Sequence, residues 1–166
     1  MRPLIFLILF VSVKALAGQI SVDNAFERTK GTWRCPIDKI KKIDTQLSSP
    51  GFNIACFPRG LTIQSDSCVY AYFVQPGQVV VVTTIGSGHV IIIKQGTYYL
   101  AYSGLDKINV KKGDKVVAGQ LIGQLAEVDE DVFELELILN KGDKSEKHID
   151  RWFCSDFQKL ISHPIN

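Results

Sequence analysis

The stretch that most constrains the fold is residues 108–125, INVKKGDKVVAGQLIGQL. Short aliphatic and β-branched runs alternate here with turn-forming residues at Lys112–Asp114 and Ala118–Gln120, a pattern typical of tightly turned strands. Glycine takes positive φ angles without steric cost, so Gly113 and Gly119 are predicted at the two chain reversals. The run between them is too short for a helix, and the stretch therefore predicts a fold built on β-hairpins.

The segments on either side of this stretch also predict strands. Short β-rich runs recur from residue 52 to residue 102, separated by turns that contain glycine or proline, and a last strand is predicted at Val132–Asn140. Helical spacing is limited to a weak amphipathic turn within Trp33–Leu47 and a tail helix at Asp156–Ile161. The sequence thus predicts an all-β fold, an antiparallel sandwich or barrel with a short C-terminal helix.

Residues 1–17 predict a signal peptide. Arg2 gives the positive start, Pro3–Val13 the apolar region and Ala15–Ala17 the small-residue cleavage site. The apolar run is short for a bilayer span, which makes an uncleaved anchor the weaker interpretation. We therefore expect an exported protein, periplasmic or extracellular, with no stable membrane span after cleavage. The units expected after the leader are an N-terminal arm at 18–32, one domain at 33–155 and a C-terminal tail at 156–166.

The charge balance gives no reason to expect nucleic acid as a partner. The chain carries 19 Lys and Arg against 17 Asp and Glu, a formal net charge of +2. Removal of Arg2 and Lys14 with the leader leaves equal numbers of basic and acidic residues. A neutral domain lacks the positive surface that binds polyanions.

Four cysteines lie beyond the leader. In an exported chain an even number favours two disulfides, for which three pairings exist. We favour Cys35 with Cys154, which would tie the two ends of the domain, and Cys56 with Cys68, which would close a local loop. The spacing contains no C-x-x-C, so a zinc knuckle is a poor alternative.

Lipoyl and biotinyl carrier domains use a hairpin similar to residues 108–125. They also present a lysine at an exposed hairpin tip, in an M-K-M or D-K-A setting, to which the cofactor is attached. The only methionine here is Met1, and Lys115 and Lys141 lack such flanking residues. A carrier role is therefore not expected, and no cofactor is predicted.

A second resemblance covers much more of the chain. From about Trp33 to Phe153 the sequence resembles the lysostaphin/LytM-type zinc peptidases, which cut peptide cross-links in bacterial cell walls. The pattern V-x-x-G-D-x-V-x-x-G-Q-x-I-G is intact from Val110 to Gly123. The family motifs H-P-G-x-D-I-A, Y-x-H-L and H-L-H-F-E-I correspond in order to Ser49–Ala55, Tyr102–Leu105 and Val132–Leu137. The resemblance implies the LytM-like fold, a duplicated hybrid motif.

The residues that bind and use zinc in that family are replaced here. The resemblance places the three metal ligands at Ser49, Asn53 and Glu134, and the two histidines that assist the attacking water at Gly104 and Val132. Serine and asparagine are neutral and bind zinc poorly. Glycine and valine cannot transfer a proton. We therefore predict no catalytic residue and no metal site, which makes the chain a pseudoenzyme.

The histidines of the chain offer no obvious substitute ligands. There are three, at His89, His148 and His163, and none is spaced as H-x-H or H-x-x-x-D. The alternative hypothesis is an active zinc endopeptidase of the cell wall whose metal site has been rebuilt around His89 and His148. Another alternative is a structural interaction domain of an envelope complex, with no ligand in the cleft.

Two further sets of side chains are candidates for the former cleft. Glu134 and Glu136 are two residues apart on a predicted strand, so both side chains point to one face, either into the cleft or into solvent. Tyrosines combine an apolar ring with a polar tip, and although most such rings pack in cores, some could form a binding groove. The candidate groove residues are Tyr70, Tyr72, Tyr98 and Tyr102.

The expected function is therefore recognition rather than cleavage. The turn glycines of the scaffold are kept while all five chemical positions are replaced, which favours a retained fold with a different use. Degenerate members of the family activate cell-wall amidases. The partner that the resemblance implies is thus a cell-envelope protein such as a cell-wall amidase, or peptidoglycan itself.

Overall fold

A computed structural model describes residues 18–45 and 60–162, and these residues form strands with a helix near each end. Residues 18–27 are helical (α1), Ile149–Trp152 form a 3-10 turn, and the C-terminal helix α2 is Ser155–Ser162. The strands are β1 Lys42–Asp44, β2 Leu61–Ser65, β3 Tyr70–Tyr72, β4 Gly77–Ile85, β5 Gly88–Gln95, β6 Tyr98–Ile108, β7 Lys115–Val116, β8 Leu121–Leu125, β9 Glu127–Asp129, β10 Val132–Lys141 and β11 Lys144–Ser145.

The strands form an open antiparallel sheet in the order β1-β2-β10-β6-β5-β4-β7. Strand β8 pairs with β6 and β3, and the short strands β9 and β11 pair with β10. The predicted antiparallel β fold with a short C-terminal helix is confirmed. None of the helices within the described residues is long and apolar enough to cross a membrane.

One face of the central strands forms the core. On β10, Leu135, Leu137 and Leu139 are buried in the core, while the residues between them, including the buried Ile138, point to the other face. This alternation follows from the two-residue period of a strand. Ile91 on β5 and Leu100 on β6 pack on the same side and are at most 1% exposed. The opposite face of β10 and β6 is therefore the one available for a site.

The stretch at residues 108–125 folds as its turn residues predict. Gly113 has φ +98° and Gly119 has φ +80°, so both predicted reversals are confirmed. The two turns are tied to the rest of the domain by backbone hydrogen bonds, from Val79 N to Asp114 O at 2.8 Å and from Gly119 N to Phe73 O at 2.7 Å. The stretch therefore joins the end of β6 to β7 and β8.

The N-terminal part of the chain differs from the prediction. Residues 18–27, within the predicted N-terminal arm, form a helix that the sequence did not predict. The helical turn expected within Trp33–Leu47 is wrong for the described residues of that range. Trp33 instead bridges Phe153, and the carbonyl oxygen of Pro36 accepts a hydrogen bond from Tyr72 N at 2.8 Å. The backbone here pairs with neighbouring segments because proline interrupts the helical pattern.

Six aromatic residues pack where the two ends of the described chain meet. This aromatic cluster consists of Phe26, Trp33, Tyr98, Trp152, Phe153 and Phe157. Phe26 stacks on Tyr98 with ring centroids 4.1 Å apart, and the two tryptophan rings lie 5.2 Å apart. Burial of such rings, which are all at most 3% exposed, explains why α1 is held against the sheet.

Two carboxylates on α1 add polar contacts beside the aromatic cluster. Asp23 accepts hydrogen bonds from the backbone N and the hydroxyl of Thr97, both at 2.7 Å. Burial acts to raise the pKa of Asp23, but these bonds outweigh it and lower the pKa below its ordinary value. Glu27 accepts from the Tyr98 hydroxyl and pairs with Lys141 at 2.9 Å, and these contacts lower its pKa. Both carboxylates therefore favour the docked helix when charged.

The cysteines within the described residues are thiols. Cys35, Cys68 and Cys154 form no disulfide, and Cys56 lies outside the described residues. Cys154 N donates to Trp33 O at 2.9 Å, which brings Cys154 beside the segment that carries Cys35. Burial raises the pKa of Cys35 to about 11, and Cys154 contributes to that shift. The two predicted disulfides stay predictions.

Candidate functional site

A small cavity of about 90 Å³ opens on the outer face of β10 and β6. Its walls include Gly104, Glu134 and Glu136, together with the tip of the β4–β5 hairpin at Ser87 and Gly88. Two of the five positions that sequence analysis assigned to the former zinc site, Gly104 and Glu134, thus line one cavity. This cavity is the candidate functional site, and we refer to it as the cleft.

The strand register explains how the two glutamates come to share the cleft. Glu134 lies opposite Gln64 on β2, and Glu136 lies between Thr62 on β2 and Ser103 on β6. Gln64 Nε2 donates a hydrogen bond of 2.5 Å to Glu134 Oε1, which fixes that carboxylate. The prediction that Glu134 and Glu136 point to the same face is confirmed.

Two effects in the cleft act on the pKa of Glu136. Burial raises the pKa of Glu136, and the charge of the nearby Glu134 raises it further. The cleft therefore combines a carboxylate held by an amide with a second carboxyl group that takes up a proton more readily than usual. A cationic or hydrogen-bonding group matches this arrangement better than an anion does.

Gly104 has a backbone that excludes the histidine of the related peptidases. Its φ is +84°, and a Cβ added there would overlap the carbonyl oxygen of Glu134. The Gly104 carbonyl oxygen also accepts a hydrogen bond from Ala126 N at 2.8 Å, so the strand is held in place. The loss at this position therefore involves the path of the main chain as well as the side chain.

The remaining positions of the former site are only partly described. Val132 begins β10 and is half-buried beside an irregularity in its pairing with β9. Ser49 and Asn53 lie outside the described residues. Glu134 is thus the one expected ligand position that carries an anionic oxygen. A neutral serine, a neutral asparagine and one glutamate do not fit a zinc site, which needs imidazole, thiolate or carboxylate donors.

Neither of the two histidines that the structure describes lines the cleft. His89 Nδ1 lies 3.1 Å from Thr84 Oγ1 in the β4–β5 hairpin, and His148 lies 4.0 Å from Asp150 on an exposed turn. His163 falls outside the described residues. Among the described residues, no group of three His, Cys, Asp or Glu side chains is placed to hold a metal ion.

The four candidate tyrosines do not form one groove. Tyr102 is fully buried, its hydroxyl accepts a hydrogen bond from Val74 N at 3.0 Å, and burial raises its pKa. Tyr98 belongs to the aromatic cluster. Tyr70 is 47% exposed and Tyr72 is half-buried on β3. The binding-groove prediction is corrected for Tyr98 and Tyr102, whose rings pack inside the domain.

Sequence reasoning missed the polar residues that frame the cleft. Thr62, Gln64 and Ser103 are brought to the two glutamates by strand pairing between distant segments. No motif marks them, because their role depends on register. Alternation along Val132–Asn140 was the one available signal, and it pointed to the correct face but could not name the neighbours.

Comparison with known protein families identifies the family of this chain. Residues 57–144, just over half of the chain, match the model of peptidase family M23, and the chain belongs to that family. The resemblance to lysostaphin/LytM-type peptidases is confirmed. No curated protein matches the chain in sequence.

Several solved structures share the fold at low sequence identity. Helicobacter pylori Csd3 matches with a TM-score of 0.57 and 16% identity, over 81% of this chain and 42% of Csd3. A zinc-containing peptidase from Vibrio cholerae matches with a TM-score of 0.53 and 21% identity, over 70% of this chain and 39% of the other. The chain therefore matches less than half the length of either protein.

A third similar structure is a chain of the SpoIIQ–SpoIIIAH pore-forming complex. The TM-score is 0.55 with 14% identity, and the match covers 82% of this chain and 99% of that one. At these identities the three structures establish the fold alone.

Proposed function

We propose that this chain is an exported, non-catalytic LytM-like domain that binds a partner in the cell envelope. The units we propose are a leader at 1–17 and a LytM-like domain at 33–155, with α1 packed against that domain. The partner is a cell-wall amidase, which the domain would activate, or peptidoglycan. The fold of an enzyme thus serves to bind a partner and not to catalyse a reaction.

The observation that carries the proposal is the structure of the cleft at Gly104. The main chain there adopts a positive φ against the Glu134 carbonyl, so the position that assists catalysis in the related enzymes has no room for a side chain. With neutral residues at Ser49 and Asn53, the positions needed for zinc hydrolysis lack suitable groups. The cleft itself persists, lined by two carboxyl groups.

The comparisons support an envelope role at a coarse level. Family M23 is named for peptidases, and one similar chain comes from the SpoIIQ–SpoIIIAH pore-forming complex. A LytM-like domain that works through a protein partner therefore has a structural counterpart. A purely structural interaction domain differs from our proposal in leaving the cleft without a ligand.

Two assays with purified components test the proposed partner. The protein is sedimented with purified peptidoglycan sacculi, and it is added to a purified cell-wall amidase that releases dye from labelled sacculi. We expect either retention on the sacculi or a faster amidase rate. Absence of both effects would contradict the proposal.

A charge reversal in the cleft connects the binding to this site. Glu134→Lys should abolish whichever effect is found, since it replaces the carboxylate held by Gln64 with a cation. The matched control is Glu146→Lys, because Glu146 is outside the residues that line the cleft. Both variants are checked for an unchanged unfolding temperature. If both variants lost sacculus binding or amidase activation equally, the cleft would not be the binding site.

A further inference from the structure

Strand β4 has an open edge along most of its length. Its outer neighbour β7 pairs only with Gly77 and Gln78, and the Asp114 turn bonds Val79. Within the part of the chain that the structure describes, no strand pairs with the outer side of residues 80–85. An antiparallel strand that is paired on one side presents the N–H and C=O groups of alternate residues on the other.

The residues along this edge lack the usual protection against pairing. The run Val80–Ile85, VVVTTI, is uncharged and β-branched throughout, and contains no lysine or proline. Val81 is 37% exposed, and Thr83 and Thr84 are exposed as well. A bulge between Val79 and Val81 bends only the start of the run. Exposed edges of this kind tend to acquire another strand.

Side chains on the outer face form an apolar row that leads away from this edge and ends at the buried Ile138. Val81 pairs with Ile92 on β5, Ile92 pairs with Ala101 on β6, and Ala101 pairs with Ile138 on β10. This row crosses four strands on the same face as the cleft. A strand added at β4 would continue the row, so its side chains would gain apolar neighbours as well as backbone partners.

Opposite charges mark the two ends of the open edge. At the Gly77 end, Lys115 pairs with Gln78, and Lys111 and Lys112 lie exposed in the same turn. At the Ile85 end, Val128 lines the cleft as Ile85 does, and β9 with the turn after it carries four exposed acids within residues 127–131. The edge is thus neutral in the middle, basic at one end and acidic at the other.

We propose that two copies of this chain associate by antiparallel pairing of their β4 edges across residues 80–85. In an antiparallel pair related by a two-fold axis, the basic end of one edge lies against the acidic end of the other. A parallel pairing of the two edges would place like charges together. This charge distribution favours a second copy over an unrelated strand. The proposal goes beyond the binding function of the cleft and does not depend on it.

The dimer is tested by sedimentation velocity of the full-length chain over a range of concentrations. We expect a concentration-dependent monomer–dimer equilibrium that stops at the dimer, since a closed two-fold contact uses both open edges. Val81→Lys and Thr83→Lys should each raise the dissociation constant roughly tenfold or more, because a charge on the edge is repeated in the partner.

A matched valine elsewhere separates edge pairing from a general effect of charge. Val22 on α1 is 39% exposed, close to the value for Val81, so Val22→Lys should leave the dissociation constant unchanged. A protein that is monomeric at all concentrations would overturn the proposal. So would a dimer that weakens equally with Val22→Lys, or assembly that continues beyond the dimer.

Charge reversal tests the antiparallel orientation. Lys112→Glu and Glu130→Lys should each weaken the dimer, and the double variant should restore it, because both ends are then reversed together. Additive weakening in the double variant would contradict the antiparallel arrangement. Only the 80–85 amides that point away from β5 report on the open edge. Their protection from hydrogen exchange in a purely monomeric sample would assign the edge to another segment of the same chain and would also overturn the proposal.

Discussion

Strands β6 and β10 connect two regions of this domain that differ in the size and the packing of their side chains. At one end, Tyr98 on β6 is part of the aromatic cluster, and Lys141 on β10 pairs with Glu27 on α1. At the other end, Gly104 and Glu134 line the cleft. The first region is packed with large aromatic rings, whereas the second is a small cavity with two carboxyl groups in its wall and a glycine at positive φ.

The comparison shows where the fold depends on particular side chains. Large apolar rings in the aromatic cluster contribute through buried area, so their removal leaves a cavity that the surroundings cannot fill. The carboxyl side chains of the cleft bury little apolar area, so they can change at a smaller cost to the stability of the sheet. A site that is energetically separate from the core can lose its chemistry while the scaffold persists.

The largest expected effect comes from truncating the aromatic cluster. Trp152→Ala should lower the free energy of unfolding by about 3–5 kcal/mol, because Trp152 is 1% exposed and packs against three other rings. Urea denaturation followed by circular dichroism measures this change in the free energy of unfolding. Glu134→Ala in the cleft should cost less than about 1.5 kcal/mol. If the cleft variant cost more, the division between the two regions would be wrong.

The second effect concerns the backbone at the cleft. Gly104→Ala should cost roughly 2–4 kcal/mol, because positive φ and contact with the Glu134 carbonyl act together. The matched variant Gly113→Ala shares the positive φ but has no atom near the added Cβ, so about 1–2 kcal/mol is expected. Thermal unfolding of the pair isolates the close contact. Equal costs would show that the backbone at Gly104 can move aside.

A smaller effect should appear on acidification of the aromatic-cluster end. The pKa values of Asp23 and Glu27 are lowered in the folded chain, so their contribution is complete above the unfolded pKa and is lost as pH falls through the folded pKa. Asp23→Asn should cost about 1 kcal/mol at neutral pH. Both tryptophans lie in this cluster, and their fluorescence reports undocking of α1. A fluorescence signal that is insensitive to pH below 4.3, the ordinary value for Glu, would contradict this account.

The smallest effect has the opposite sign and belongs to the cleft. Since the pKa of Glu136 is raised, the folded chain binds its proton more tightly than the unfolded chain, and stability falls as pH rises from the unfolded to the folded pKa. Glu136→Gln should therefore stabilise the protein at neutral pH, by less than about 1 kcal/mol. Glu146→Gln serves as the control, with no change expected. Destabilisation by Glu136→Gln would indicate a structural role for its charge.

The sequence predicted those features of the fold that depend on a local pattern of residues. Glycines at residues 113 and 119 located the turns, and alternation along β10 placed Glu134 and Glu136 on one face. Helix α1 was missed because its residues are mixed in character, and its position is fixed by Phe26 stacking on Tyr98 across a long sequence separation. The predicted tyrosine groove was wrong for Tyr102, because the alternation of residues along β6 does not show which of its two faces is buried.

The central claim is that the scaffold of a zinc peptidase persists here without a zinc site. Its most direct test is isothermal titration of the purified protein with zinc, combined with release of fragments from cross-linked peptidoglycan. The account predicts no stoichiometric binding and no cleavage. One tightly bound zinc per chain, lost together with cleavage activity in Glu134→Ala, would contradict it.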